Sequence, residues 1–483
     1  MTTGEGGSPG HGGNDTADDA GEYANITKIS EIQLKYILEN FPGAAAYPPR
    51  QPGDSGPEPL EFVYRRLAVL TRDEDLQSVL SILDPPRLLV SKDEPGPRRV
   101  AGVSQPIPGL SLIELASDGG DDPVAEARIL FSALEAIELL LGPGKAAPDH
   151  MMSVTQLPPP ATNCPATEPD QVPGDAAPQP GISRSCCDGR GVRVAVVDTG
   201  LVPGAPAAHP WLHGVEGERD LGVNEGTILP YAGHGTFIAS IVRAMAPRAE
   251  VRVTRMFEKA GALYESDVVK ALMSVLDWAP DVISLSAGSH TWRYRGLLSF
   301  YVFVNGPLRE CRETVLVAAA GNDGMDWKFS PAEMDDVLGV GALGPPGDAR
   351  AWFSNHGDWV KVYAPGQDLV HAFARGLYSY RELRAGQTAE FFGMARWSGT
   401  SFSTPVVSGL VAARISGTGE SPREAAESLL RLARAQALPG VGPVLRPGQA
   451  CLRVCEQPGQ DRPPRRRCRC GCGCGCGCGC GCG

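Results

Sequence analysis

No run of apolar residues in this chain reaches the roughly 18 that a membrane-spanning helix needs, so the sequence offers no spanning segment. Its start, MTTGEGGSPGHGGNDTADDA, has neither a basic stretch nor an apolar core of about 7–15 residues, and so lacks the marks of a secretory signal. The expectation is a cytoplasmic protein, with a non-standard route of export left open. Positive charge is also short: 44 Lys and Arg against 56 Asp and Glu leave a formal charge of −12. That balance disfavours nucleic acid or an anionic membrane surface as the main partner. Cysteine is scarce in the body of the chain, since eight of the 14 lie between Cys468 and Cys482. The remaining Cys164, Cys186, Cys187, Cys311, Cys451 and Cys455 make no disulfide framework.

What is present is globular in balance, with 42% hydrophobic and 21% charged residues over 483 positions, enough for two or three domains. The 59 Gly and 43 Pro are too many for packed elements alone, so part of the chain is loop or tail. Residues 1–58, rich in Gly, Pro, Asp and Ser, read as a disordered leader with one short helix from Ile29 to Leu38. Residues 59–156 read as a small α+β unit. Phe62 to Leu70 is strand-like, and Asp73 to Leu83 has acids in its first turn and a Pro-Pro stop. RLLV from Arg87 and LSLIEL from Leu110 are further strands. Pro123 opens a long helix to Leu141, and HMMSV from His150 closes a β-α-β-β-α-β order.

Residues 157–190 are dense in Pro and read as an extended linker. From 191 to 437 apolar strands (VRVAVVD, VRVTRMF, DVISLS, TVLVAAA, VLGVGAL, WVKVYAP) alternate with helical segments such as HGTFIASIVRAMA and ESDVVKALMSVLDWA. This pattern predicts an α/β fold, a mostly parallel twisted sheet with helices on both faces. Its last helix starts with a capping box, Ser421 to Glu424. Residues 438–483 read as a disordered tail with five arginines between Arg462 and Arg469 and a Cys-Gly repeat. That repeat is either a low-complexity tract or a chelator of soft metals.

In an open parallel sheet, functional groups gather beyond the carboxyl ends of the strands. Asp198 directly follows the strand VRVAVV and precedes Thr199-Gly200. His234 sits in Gly233-His234-Gly235-Thr236, at the start of a helix. Asn322 ends TVLVAAA within Gly321-Asn322-Asp323-Gly324, and Ser401 lies in SGTSFSTP at a helix N-terminus. A hydroxyl is a poor nucleophile unless a base holds its proton, and that base works best when a carboxylate fixes its tautomer. Ser401, His234 and Asp198 suit those roles, with the Asn322 amide and the Ser401 N–H as oxyanion donors. Taken singly, each has a plain reading as a cap or turn former, and only the partners decide. His209 and His213 lie near enough to Asp198 to invite a metal reading, but lack a third ligand at a recognisable spacing.

The motifs VVDTG, GHGT, AAAGN and SGTSFSTPVVSG, in the order Asp, His, Ser, resemble those of the subtilisin family of serine proteases over residues 190 to 436. The resemblance implies a serine endopeptidase with the four residues in the roles above. It implies no cofactor, although many subtilisins hold structural calcium, for which no ligand set can be placed here. It also implies that Ser286, Ala287 and Gly288 pair with substrate bound as an extended strand, and that Ala318 to Gly321 forms a wall of the primary specificity pocket. Ala287 is smaller than the usual residue, and the aromatic insert SHTWRYRGLLSFYVF that follows bears on subsite shape. Asp323 beside the oxyanion donor suggests a taste for basic residues before the cleaved bond. The β-α-β-β-α-β unit is similar to subtilisin propeptides, so the N-terminal domain is expected to act as an intramolecular inhibitor or folding chaperone. Two alternatives stay open, an inactive peptide-binding module and a processing peptidase of narrow specificity.

Overall fold

The computed structural model describes residues 33–49, 61–84, 100–117, 122–154, 168–311, 313–381 and 384–451. The largest sheet runs Ala349–Arg350, Leu338–Gly344, Val315–Ala319, Val282–Leu285, Arg193–Asp198, Glu250–Arg255 and Glu216–Gly217, with Val362–Pro365 also paired to Leu338–Gly344. Every pairing is parallel except that of Ala349–Arg350. The α/β architecture read from the alternating pattern is the one the chain adopts.

Side chains along the central strand alternate between two cores, which explains its unbroken apolar character. Val194 and Val196 pack with Phe237 and Ile241 of the helix His234–Met245 and with Val406 and Leu410 of the helix Thr400–Thr418. Ala195 and Val197 point the other way, to Val268 and Leu272 of Glu265–Asp277 and Phe300 and Phe303 of Leu298–Asn305. Chain order reverses around Arg193–Asp198, since Glu250–Arg255 lies on one side and Val282–Leu285 on the other. A crevice at such a switch point is where an open α/β sheet places its chemistry.

Residues 62 to 153 run strand, helix, strand, strand, helix, strand: Phe62–Arg72, Leu76–Leu83, Val100–Ile107, Leu110–Leu115, Pro123–Leu141 and Ala146–Ser153. The first of the two middle strands is Val100–Ile107, whereas Arg87 to Val90 falls outside the described residues. Val100–Ile107 is an edge strand whose register shifts near Gly102 and across Pro106, so it lacks the clean alternation that marks a strand in sequence. One face of this antiparallel sheet packs on its own helices, Val69 and Ile113 against Leu130 and Leu134. The other shares a core with the peptidase-like body, where Leu70 and Leu112 meet Leu272 and Phe300. Ala262–Tyr264 even joins this second sheet as a strand beside Ala146–Ser153.

Three expected boundaries shift. Ala44–Tyr47 pairs with Phe62–Arg72, and Ile37 of the helical residues 33–40 packs beside it, so the fold begins inside the expected leader of 1–58. A four-residue strand reading AAAY carries no periodicity and forms only because a partner strand is present. Within the expected linker, Asp170–Gln171 pairs with Thr388–Trp397. Cys186 and Cys187 are disulfide-bonded, which the scattered cysteine spacing does not predict. Beyond 438, Val444 bridges to Tyr363 and is fully buried, so the start of the expected tail is part of the body. An antiparallel pair unmarked in the sequence reading, Leu369–Ser379 with Thr388–Trp397, flanks the helix His234–Met245.

Candidate active site

Asp198 ends the central strand and is fully buried. Its Oδ1 accepts the Thr199 N–H at 2.8 Å and lies 2.8 Å from Nδ1 of His234. Because a carboxylate only accepts, Nδ1 carries the proton and Nε2 is left with a free lone pair. His234 is the first residue of its helix, and the two glycines around it permit the fit. Gly233 has φ of 83°, and a Cβ there would lie 2.6 Å from the Phe373 ring. A Cβ on Gly235 would lie 2.6 Å from the Gly200 carbonyl oxygen, so the helix start abuts the turn after Asp198.

That junction is tied by Asp220, a residue the sequence did not single out. Its Oδ2 accepts from Thr199 Oγ1 at 3.0 Å and from the Gly233 N–H at 2.7 Å, while Thr199 Oγ1 accepts the Gly235 N–H at 3.1 Å. Burial pushes the Asp220 carboxyl up from its ordinary value even against these hydrogen bonds. Aromatic rings close the other side of the imidazole: Trp397 and Phe402 stand 5.3 and 5.2 Å from it, centroid to centroid. Neither ring had a sequence signal beyond proximity to Ser401.

Ser401 is the second residue of the helix Thr400–Thr418. Its main-chain oxygen accepts from Ser286 Oγ at 2.8 Å, and its hydroxyl points to the Ser286 carbonyl at 3.5 Å. Among the described residues no hydrogen bond joins Ser401 to His234. Such contacts are often loose without substrate. Asn322 is fixed by Thr400, whose N–H and Oγ1–H both reach Oδ1, at 2.7 and 2.9 Å. Two donors on that atom identify it as oxygen and leave Nδ2 as the outward donor. A Cβ on Gly399 would lie 3.6 Å from Ser401 N and 3.7 Å from Asn322 Nδ2, so the missing side chain leaves open a space that both donors border.

Of Ser286, Ala287 and Gly288, the last is paired with another segment of the same chain. Ser153 and Gly288 exchange both hydrogen bonds, N–H to O at 3.0 and 3.2 Å, and the Val154 N–H reaches the Gly261 oxygen at 2.9 Å. Gly261 is a second docking point for this strand, one that carried no signal in the sequence. The aromatic insert after Gly288 serves this docking. The Trp292 N–H donates to His150 Nε2 at 3.0 Å, His150 Nδ1 lies 2.7 Å from Glu265, and Arg293 and Arg295 pair with Glu138.

Asp323 corrects the expectation of a preference for basic residues. It is fully buried, lies 3.0 Å from His290 Nε2, and accepts from Asn355 Nδ2 at 2.7 Å. Burial pulls His290 down, but the adjacent Asp323 charge and hydrogen bond outweigh it and hold the imidazole above its ordinary value. The carboxylate is therefore buried and bonded to internal partners. His209 packs against Trp211 at 5.0 Å between centroids, and among the described residues no three His, Cys, Asp or Glu side chains gather as a metal site. No described helix is long and apolar enough to cross a membrane.

Residues 189–441 match the model of the subtilase family. The chain is 33% identical over 236 residues to a thermophilic serine proteinase of Bacillus sp. (strain AK1), covering 46% of this chain and 51% of that one. It is 30% identical over 247 residues to thermitase of Thermoactinomyces vulgaris, 48% of this chain and 78% of that one. Against the membrane-bound transcription factor site-1 protease of Mus musculus, identity is 30% over 271 residues, 52% of this chain and 24% of the other. The chain thus spans about half or less of two of these three relatives. With the family model matching more than half of the sequence and the fold in agreement, the chain belongs to the subtilase family.

Proposed function

We propose that this protein is a serine endopeptidase in which Ser401 attacks the scissile carbonyl, His234 takes and returns the proton, and Asp198 orients His234. The observation that carries the reading is the 2.8 Å Asp198–His234 bond at the sheet's carboxyl edge, which leaves Nε2 unprotonated on a ring that packs 5.2 Å from Phe402, the residue after Ser401. In the attack, the Ser401 hydroxyl proton passes to Nε2 as the C–O bond forms, and the resulting imidazolium is stabilised by the Asp198 charge. Negative charge on the carbonyl oxygen meets the Asn322 amide and the Ser401 N–H, aided by the helix dipole. Collapse of the intermediate sends the proton to the leaving amine. Water then releases the acyl group by the same route in reverse.

A fluorophosphonate probe tests this, because only an activated serine reacts at a useful rate. Labelling of the wild type at Ser401 and none of Ser401→Ala, with peptide hydrolysis lost in the variant, is the expected result. An unlabelled wild type would leave a peptide-binding module.

The N-terminal unit is proposed as an intramolecular inhibitor. What favours this is the strand from Ser153 to Val154 lying between Gly288 and Gly261, where main-chain pairing with a peptide substrate would run. Maturation would then release a species beginning shortly after Val154. Sequencing the N-terminus of the probe-labelled species decides it, and an intact N-terminal unit on a fully reactive enzyme would end the proposal.

A further inference from the structure

The two backbone segments that the proposed function assigns to substrate binding carry glycines that border a common gap, Gly288 on one side and Gly321 on the other. The gap is filled. A Cβ built on Gly288 would lie 2.3 Å from Cε1 and 2.8 Å from Cδ1 of Phe329, and one on Gly321 would lie 2.9 Å from Cγ of the same ring. The Phe329 ring is therefore packed against both backbones at once, and the residue is 6% exposed. Any side chain at either glycine would collide with it, so the two glycines serve here to admit the protein's own phenyl group.

The ring is firmly held. Ser330, the next residue, exchanges both main-chain hydrogen bonds with Ser289, each at 3.0 Å, which fastens the Phe329 segment to the segment that bears Gly288. Ser330 Oγ accepts the Leu297 N–H at 3.1 Å. Next to the ring stands His290, 5.2 Å away between centroids and nearly edge-on at 73°. His290 is bonded to Asp323, and Asp323 to Asn355, whose Nδ2 also donates to the Ala320 oxygen at 3.0 Å. Moving the ring out would break its packing on both backbone segments and its edge contact with the buried His290.

We infer that Phe329 is a specificity-determining residue: it occupies the slot between Gly288 and Gly321 and restricts the substrate residue before the scissile bond to glycine, alanine or serine. The inference rests on the proposed peptidase reading, because it takes the Ser286–Gly288 edge as the strand on which substrate lies. A peptide paired there turns its last side chain before Ser401 into the gap between the two glycine-bearing segments. A methyl or hydroxymethyl group stops short of the ring, whereas a leucine, phenylalanine or lysine side chain needs the volume the ring already fills. The buried Asp323 adds no attraction for a basic residue, since it is bonded to His290 and Asn355 behind the ring.

The test uses the full chain as it matures, with tetrapeptide anilides that differ only in the residue before the anilide, and rates divided by the fraction of protein labelled by a fluorophosphonate. Wild type is expected to cleave the alanine substrate at least 10-fold faster, in kcat/KM, than the leucine or phenylalanine substrate, the scale on which pocket fit discriminates. Phe329→Gly and Phe329→Ala are expected to raise the leucine-to-alanine ratio at least 10-fold, a ratio that does not depend on how much of each variant is folded. Phe329→Leu, which shortens the plug and keeps it apolar, is expected to fall between. A labelled wild type that cleaves leucine and phenylalanine substrates as readily as alanine overturns the inference even if every variant misfolds. So does an unchanged ratio in labelled Phe329→Gly. Absence of labelling in the wild type instead removes the peptidase reading on which the inference stands.

Discussion

Thr400 would act on the proposed oxyanion donor, Asn322, through its side chain. Its two bonds to Asn322 Oδ1 aim the amide nitrogen, and its Oγ1 also accepts the Gly321 N–H at 3.1 Å. Thr400→Val removes the hydroxyl and is expected to lower kcat by roughly 10- to 100-fold, the scale of a displacement of about 1 Å at a reacting centre, with KM little changed. Thr400→Ser should restore most of the rate. Equal losses in kcat and binding, without rescue by serine, would indicate a merely structural threonine. Asn322→Ala, which deletes the donor itself, should cost about 10²–10³-fold in kcat, a range drawn from the subtilisins themselves.

His371 contributes one part of the pH dependence of stability. Ser240 Oγ accepts from Trp211 Nε1 at 2.8 Å and from the Ala372 N–H at 3.2 Å, so its proton goes to His371 Nδ1 at 3.0 Å. Nε2 is then the protonated nitrogen, and it is buried without a partner. Burial pulls the pKa down from 6.5 to about 3. Between those values the unfolded chain binds the extra proton and the folded chain does not, so this contribution is present above pH 6.5 and lost as pH falls towards 3. Through this window the thermal midpoint of His371→Phe should fall less steeply than that of wild type. Parallel curves would assign the acid sensitivity elsewhere.

The four residues proposed for the chemistry were singled out because each sits in a short, distinctive string at the end of a strand or the start of a helix. Asp220, Thr400 and Phe329 were not. Asp220 lies in a loop of no particular pattern, and its role exists only where the turn after Asp198 meets the helix start at Gly233. Phe329 reads as one more aromatic residue until two glycines, 41 and 8 positions before it, are seen to touch its ring.

At the scale of elements, the parallel strands were readable because burial on both faces makes them continuous apolar runs, and the edge strand Val100–Ile107 was not, because glycine and proline interrupt it. The helix Pro422–Ala435 begins with the capping box its sequence announces, with Ser421 and Glu424 bonded reciprocally. Ser421→Ala should cost about 1 kcal/mol in urea unfolding. Gly233→Ala is a harder change, because it combines a left-handed φ with a collision against Phe373. About 2 kcal/mol or more is expected from the backbone penalty and overpacking together. A loss below 0.5 kcal/mol would show that the helix start relaxes without effort.

At the scale of the whole molecule, the N-terminal sheet and the subtilase body share one hydrophobic core and a buried polar contact, His150 with Glu265, which also accepts the Ser299 N–H at 3.0 Å. Removing the imidazole leaves the buried Glu265 carboxylate without its Nδ1–H donor and the Trp292 N–H without its acceptor, and unsatisfied buried groups are costly. His150→Ala should therefore loosen the N-terminal unit and speed fluorophosphonate labelling of the unprocessed chain. Labelling no faster than wild type would mean that the unit does not guard the cleft.

The strand Ala262–Tyr264, lent by the body to the N-terminal sheet, bears on what a proteolytic nick can do. Scission of the backbone after Val154 would sever the covalent connection while leaving a six-stranded sheet intact, five strands from one fragment hydrogen-bonded to one strand of the other. Denaturing electrophoresis should then resolve two fragments, although native mass spectrometry still weighs a single particle. Liberation of the enzyme would wait on a second event, destruction of the smaller fragment.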